Sequence, residues 1–346
     1  VFQLDVEDTA VKRSDLGRFR TAFLEDGVGP LVICASTCTN YRNVPWTSLG
    51  RMAEDDMDVF LHVGDFVYAD GSETPEEYRF HYLRALGEEN MRSVLTQAGM
   101  YVTWDDHEFD NNLNPETMSE THLETAKAAF FENLPARRGE DGELWRSYRW
   151  GLTAEFFVLD SRSERLPSTR ESDNPIYLSQ DQMDWLKQAL VDSPCRFKLL
   201  LNSVPMVNLV GVAADLLAED RWQGYQVQRQ ELLDHINEQN IRDVWFLSGD
   251  FHMGFITRLD RTGVGTKLWD VAVGPGANGP NPLPVSVEGN VFEEEEVFPA
   301  AMYEYWSSKT KVATTLTLDP TAGTIHIRYV DGTTGDVLYD GTLSQV

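Results

Sequence analysis

Tyr101-Val102-Thr103-Trp104-Asp105-Asp106-His107-Glu108 opens as a short apolar run and breaks into three carboxylates and an imidazole, with Asn111-Asn112 close behind. Four apolar or β-branched residues in a row read as a buried strand, and a strand that ends this way delivers its acids to its own carboxyl end. Two other stretches repeat the pattern. Val59-Phe60-Leu61-His62 leads into Val63-Gly64-Asp65-Phe66-Val67-Tyr68, and Val244-Trp245-Phe246-Leu247 leads into Ser248-Gly249-Asp250-Phe251-His252. Three strand ends carrying ligand-type side chains supply the density that a multinuclear metal centre needs, so the chain reads as a metal-dependent hydrolase rather than a binding module.

Outward from these stretches, strands are predicted at 31–34, 58–63, 101–104, 155–159, 197–201 and 244–247. Helical patterns lie between them, at 47–55 after Pro45, at 75–95 with Glu76-Glu77 in the first turn, at 180–191 capped by Ser179, and at 226–236. Strands alternating with helices make a layered α/β fold that collects ligands at the carboxyl ends of its strands. The C-terminal part alternates polar and apolar residues at 312–318, 324–330 and 337–343, separated by hairpin-type turns. These strands extend or cover an existing sheet, because so short a segment buries too little surface by itself. The stretch 274–284 reads as a Gly, Pro and Asn loop, and 293–296 as an acidic turn.

Of the 346 residues, 29 are Lys or Arg and 56 are Asp or Glu, a formal charge of -27. That balance excludes wrapping a nucleic-acid backbone, which is bound by cations that displace counterions, and disfavours an anionic membrane surface. Cys34, Cys38 and Cys195 are too few for a disulfide framework in a chain of this size; Cys34 reads as core, whereas Cys38 can point into a site. No apolar run reaches eighteen residues, so no membrane-spanning helix is expected. Secretion or periplasmic export after signal removal and a cytoplasmic location are both compatible with the chain, and the oligomeric state is left open.

Metal-assisted phosphoester hydrolysis needs cations that clamp the phosphoryl oxygens and a carboxylate that bridges them. Asp65 is the best bridge, since Gly64 lets the backbone turn sharply and aims the carboxylate out of the strand. Tyr68 can reach the same ion, and a phenolate demands a strongly acidic cation, which favours ferric iron over zinc. A Cys38 thiolate suits iron or zinc, whereas the all-oxygen part suits a hard divalent ion.

Taken together, these residues resemble the alkaline phosphatase D (PhoD-like) family of calcineurin-like metallophosphatases. Ala35-Ser36-Thr37-Cys38 stands where the family has its cysteine ligand, Gly64-Asp65 to Tyr68 is similar to its Gly-Asp-x-x-Tyr, and 104–112 to its Asp-Asp-His-Glu with paired Asn. Pro135-Ala136-Arg137, Leu159-Asp160-Ser161-Arg162, Gln182 to Leu186 and Ser248 to His252 follow in the family's order. The resemblance implies a four-layer αββα sandwich with additional C-terminal β-strands and one catalytic domain over 1–346 with 312–346 packed on it; the family's N-terminal β-sandwich domain is not expected in this chain, a departure from the family, since the first strand reaches Cys38 almost at once. It also implies one ferric ion with one or two calcium ions, with zinc, manganese or magnesium as alternative occupants. Cys38, Asp65, Tyr68, Asp250 and His252 would then serve iron, Asp65 with Asp106 the second metal, and His107 general acid or transition-state donor.

Asn112, Arg137 and Arg162 are candidates for phosphate contact, against a turn role for the Asn and ion pairs with the abundant acids for the Arg. Asp105 and Glu108 carry no assignment. His62, His81 and His122 read as hydrogen-bonded packing residues, and His235 and His326 have no ligand neighbours in sequence. A small-molecule phosphomonoester or phosphodiester is the leading substrate class. A phospholipase D-type lipid phosphodiesterase is the rival within the enzyme class, with 209–214 and Leu216-Leu217 as an apolar rim. A non-catalytic calcium- or iron-binding protein is the rival outside it, and His107 argues against that reading.

Overall fold

The computed structural model describes residues 3–4, 12–13, 16–140, 142–209 and 218–345. A two-residue pair, β1 (Gln3–Leu4) and β2 (Lys12–Arg13), precedes the main body. The chain then runs β3 (Leu31–Thr39), α1 (Thr47–Met52), β4 (Val59–Val63), α2 (Pro75–Gly87), α3 (Glu89–Leu95), β5 (Gly99–Thr103), α4 (Glu120–Asn133), β6 (Arg146–Trp150) and β7 (Ala154–Val158). It continues with α5 (Gln180–Asp192), β8 (Phe197–Leu201), α6 (Gln226–Glu238), β9 (Val244–Ser248), β10 (Gly254–Arg258), β11 (Trp269–Ala272), β12 (Pro275–Ala277), α7 (Pro282–Glu288) and α8 (Glu294–Val297). The last strands are β13 (Tyr303–Ser307), β14 (Val312–Asp319), β15 (Thr324–Asp331) and β16 (Val337–Ser344).

Two sheets form the centre. One has the order β16-β15-β14-β3-β4-β5, with β12 on β3, and the other β13-β10-β11-β9-β8-β7-β6. In each, a block of neighbouring strands, β3-β4-β5 and β7-β8-β9-β11, runs parallel, so their ends face one way. The pleat sorts the second sheet's side chains. Phe156, Val158, Leu199, Leu201, Trp245 and Leu247 join the core shared with the first sheet and α1 to α4, while Phe157, Leu200 and Phe246 face outward onto Leu186 of α5 and Leu232 of α6. The arrangement is therefore helices, sheet, sheet, helices, a mixed α/β sandwich. No helix among the described residues is long and apolar enough to cross a membrane.

Local chemistry sets the boundaries. The Thr74 and Glu77 capping box and Pro75 in the first turn start α2. The single helix expected over 75–95 is instead two, because Gly87 weakens the run and Glu88 turns extended to cap α3, accepting from the Asn90 and Met91 amides. β3 reaches Thr39, well past the expected end at 34, because its distal residues Thr37 and Thr39 pair with Pro275 and Ala277. The expected loop at 274–284 thus contributes a strand and, where Asn281 caps Leu283 ahead of Pro282, the start of α7. The acidic turn at 293–296 lies largely in the short helix α8.

His62 is a packing residue with a measurable consequence. It is fully buried in β4 with Nε2 3.2 Å from Thr39 Oγ1, and burial pushes its imidazole down to about 3. The folded chain keeps it neutral, whereas the unfolded chain binds a proton below about pH 6.5. This contribution to stability is therefore complete above about pH 6.5 and is lost as pH falls towards 3. Between pH 7 and pH 5 the loss is about 2 kcal/mol from this group alone. Denaturant titrations of the parent and His62→Leu should differ in pH dependence by that amount; parallel curves would contradict it.

Candidate active site

Residues from the carboxyl ends of both sheets converge. Cys38 lies near the end of β3, Asp65 to Tyr68 follow β4, Asp105 to His107 follow β5, Arg162 lies beyond β7, Ser203 beyond β8, Asp250 and His252 after β9, and Asn278 directly after β12. The turns that present them are strained. Cys38, Asp65, Asn112, Asp250 and His252 have φ between 50° and 61°, and they are five of the eight non-glycine residues with positive φ among those described. Such conformations cost on the order of 1–3 kcal/mol each and persist where the surroundings fix them. Gly64 is required at its position: its φ is 101°, and a Cβ there would stand 2.6 Å from Asp105 Cβ and 3.0 Å from Ser203 Cβ. Glu108 clamps the turn by accepting from the amides of Asp65, Phe66 and Val67, and also from that of Asp105.

Donor atoms gather in three overlapping groups. Those of Cys38, Asp65 and His252 lie within 4.8 Å of one another, as do those of Asp65, Asp106 and His107, and those of Asp105, Asp106 and Asp250. Asp65 is common to the first two. Tyr68 joins the first group, its hydroxyl donating to Asp65 Oδ2 at 3.0 Å and lying 3.4 Å from His252 Nε2. Asn278 donates to that same hydroxyl and sits 2.8 Å from His252 Nε2. His107 packs on the Tyr68 ring with centroids 4.0 Å apart, and its Nδ1 is 2.6 Å from Asp70 Oδ1. Asp70 thereby fixes the ring and leaves the other nitrogen for the cleft.

Electrostatics explain what these groups need. Burial pushes the Asp65 carboxyl well above the usual carboxylate range; His107 opposes this, while Asp105, Asp106 and Glu108 add to it. Burial and then Asp65 do the same to the Cys38 thiol and the Tyr68 phenol, and burial and then Asp105 to Asp250. Burial holds His252 down to about 4, in the neutral form that ligates. Burial also works against a charge on His107, but Asp65, Asp70 and Asp106 lift it to about 10. Asp65 Oδ1 and Asp105 Oδ2 are buried and accept no hydrogen bond. Anionic donors this crowded and this dry call for a positive charge among them, and the set, one thiol, one phenol, carboxylates and imidazole, fits metal cations.

The other expected residues fall differently. Arg162 is fully buried and turned into the carboxylates: it donates to Asp105, to Asp220 at 2.6 Å and to Asp250 at 2.8 Å, because those acids outcompete the solvent side. Asp250 accordingly groups with Asp105 and Asp106 rather than with the Cys38 donors. Arg137 is exposed, near Tyr148, and lines neither cavity at the site. Asn112 does line the cleft of about 200 Å³ over Asp65, Asp106 and Asp250, and its amide donates to Asp106 Oδ2. The apolar rim expected at 209–217 lies, apart from Leu209, outside the described residues. Sequence reasoning missed Asp70, Ser203, Asp220, Arg221 and Asn278. Ser203 donates to Asp105 at 2.9 Å, Asp220 also pairs with Arg165 at 2.6 Å, and Arg221 lines the cleft beside Phe251. Only Asp70, two residues past Tyr68, carried a signal in its spacing.

Two packed sheets with a carboxylate, thiol and imidazole cluster at their shared end define a metallophosphatase-type fold. The sequence matches the family model for PhoD-like phosphatases over residues 32–321, and the chain belongs to that family. Alkaline phosphatase D of Bacillus subtilis (strain 168) is 26% identical over 276 residues, 67% of this chain and 47% of that protein, so the chain spans about half the length of this curated relative. The solved structure of PhoD superposes with a TM-score of 0.78 at 20% identity, covering 95% of this chain and 71% of that one. Purple acid phosphatase PPD1 from seeds of yellow lupin (Lupinus luteus) gives 0.64 at 13% identity, over 94% and 56% of the two chains. GAP50, the anchor in the inner membrane complex of Plasmodium, gives 0.55 at 12% identity, over 92% and 89%. These three likenesses establish the fold, and the family implies metal cofactors.

Proposed function

We propose that the chain is a metal-dependent hydrolase of small-molecule phosphoesters, acting on phosphomonoesters or phosphodiesters. The observation that carries this reading is the sharing of one carboxylate, Asp65, by two donor groups, as a two-metal phosphoesterase requires. Family membership and the alkaline phosphatase D relative support it. Cys38, Asp65, Tyr68 and His252, with Asp250 close by, would hold ferric iron, which favours the thiolate and phenolate pair. Asp65 and Asp106 would hold calcium, a hard ion suited to oxygen donors, with zinc, manganese or magnesium as alternatives that elemental analysis separates. When bound, the metals would polarise the phosphoryl oxygens and lower the pKa of water to supply a nucleophile at neutral pH.

The chain's own residues do the rest. Arg162 holds Asp105 and Asp250 in place from behind, Asn112 and Arg221 line the cleft where phosphoryl oxygens would lie, and His107, oriented by Asp70, gives a proton to the departing alcohol oxygen. The reading is tested with chromogenic monoesters and diesters, with and without chelator. Hydrolysis that disappears with chelation is expected; hydrolysis of neither ester by the metal-replete protein would refute it. Ligation of ferric iron by Tyr68 should also give the protein a visible phenolate-to-metal charge-transfer band that Tyr68→Phe abolishes. An active, colourless protein containing only zinc would overturn the iron assignment.

A further inference from the structure

A second cavity, of about 400 Å³, shares Tyr68, His107 and His252 with the candidate metal site, and its other walls include Tyr41, Arg42, His81 and Arg84. In a chain with 29 basic and 56 acidic residues, cations on these walls stand out against the carboxylates of the neighbouring cleft. Arg84 is built in. Its guanidinium carbon lies 3.9 Å from the centroid of the Tyr41 ring and 5.0 Å from that of Phe80, and Tyr41 itself packs edge-on against buried Trp46. Stacking uses the faces of a guanidinium and leaves its edge N–H groups for a planar anion. Among the described residues, neither Arg42 nor Arg84 pairs with a carboxylate or donates a side-chain hydrogen bond, although most arginines here do. Asp70, the acid on this wall, is engaged with His107.

We infer that this cavity is an anion subsite. It takes a phosphoryl or carboxylate group carried on the alcohol portion of a phosphoester whose reacting phosphoryl group lies at the Asp65 centre. The inference rests on the phosphoesterase reading and adds the class of alcohol: one bearing its own negative charge. A neutral alcohol would leave Arg42 and Arg84 unused, and an anionic one would meet repulsion along every wall lined by acids.

The test compares phenyl phosphate with the phosphate monoesters of 4-hydroxyphenylacetate and 4-hydroxybenzylphosphonate, whose phenols are of similar acidity. A charge-assisted hydrogen bond corresponds to roughly a tenfold effect or more. The metal-replete parent should therefore favour one or both charged esters by about tenfold in kcat/KM, and the better of the two identifies a carboxylate or a phosphoryl tail. Arg84→Gln should collapse that ratio towards one, as should Arg42→Gln at an exposed position where folding is not at stake. Calorimetric titration with free 4-hydroxybenzylphosphonate should show about tenfold weaker binding to both variants. Equal kcat/KM for charged and neutral esters in the parent, or an unchanged ratio in both variants, would overturn the subsite while leaving the phosphoesterase intact. If no ester is hydrolysed, the calorimetry alone decides the subsite: binding that both variants weaken supports it, and binding absent from the parent or unaffected in the variants overturns it.

Discussion

Asp65→Asn is expected to lower turnover by about 10³-fold or more and to deplete both of the proposed metals together. The amide keeps the side chain's shape but removes the anionic donor common to the Cys38 and Asp106 groups. Metal polarisation of a phosphoryl group supplies several kcal/mol, and about 4 kcal/mol corresponds to that factor in rate. Asp106→Asn, which belongs to the second and third groups only, should deplete one metal and spare the other. The metal-free proteins should behave in the opposite sense: Asp65 is a buried acid among acids with an unpartnered oxygen, so the apo form of Asp65→Asn should unfold at equal or higher denaturant than the apo parent. Parallel elemental analysis and denaturation settle both, and a normal metal content in Asp65→Asn would end the shared-carboxylate reading.

His107→Ala is expected to cost about 10²–10⁴-fold in kcat, the span of a positioned general acid, with metal content largely kept. The signature lies in the substrate. Nitrophenyl esters leave as stable anions and need little protonation, so their loss should be smaller than that of alkyl esters. Equal losses would mean that His107 steadies the phosphoryl oxygens instead, and unchanged turnover with both would remove it from the mechanism. The same variant strips Asp70 of its imidazole partner at 2.6 Å, so Asp70 is then free to take up a proton or a solvent cation.

Central strands were legible because they are buried on both faces. Residues 58–63, 197–201 and 244–247 read as short, mainly apolar runs in which Asp58, His62 and Lys198 are the polar members, and 59–63, 197–201 and 244–248 are strand in the structure. β6, β10 and β13 escaped notice because strands at or near an edge mix polar and aromatic residues whose pattern makes sense only against neighbours distant in sequence, as when Phe255 meets Trp306 and Ala272. The candidate site divides the same way. Asp65, Tyr68, Asp106, His107, Asp250 and His252 follow their strands directly, so the ligand types are visible in sequence. Asp220, Arg221 and Asn278 arrive on connections without periodicity, and the inward turn of Arg162 depends on Asp220, 58 residues away.

The pairing of β3 with β14 has a consequence for biosynthesis. Cys34 and Ala35 meet Thr315 and Thr314 across that seam, so the strand that carries Cys38 leaves the ribosome some 280 residues before the neighbour that covers its flank. Until then β3 presents an open row of amides and carbonyls, a template for any other extended chain. Strands so distant in sequence close slowly. Docking of β14 closes that edge over residues 31–35, and Cys34 reaches its final environment beside Thr315 only then.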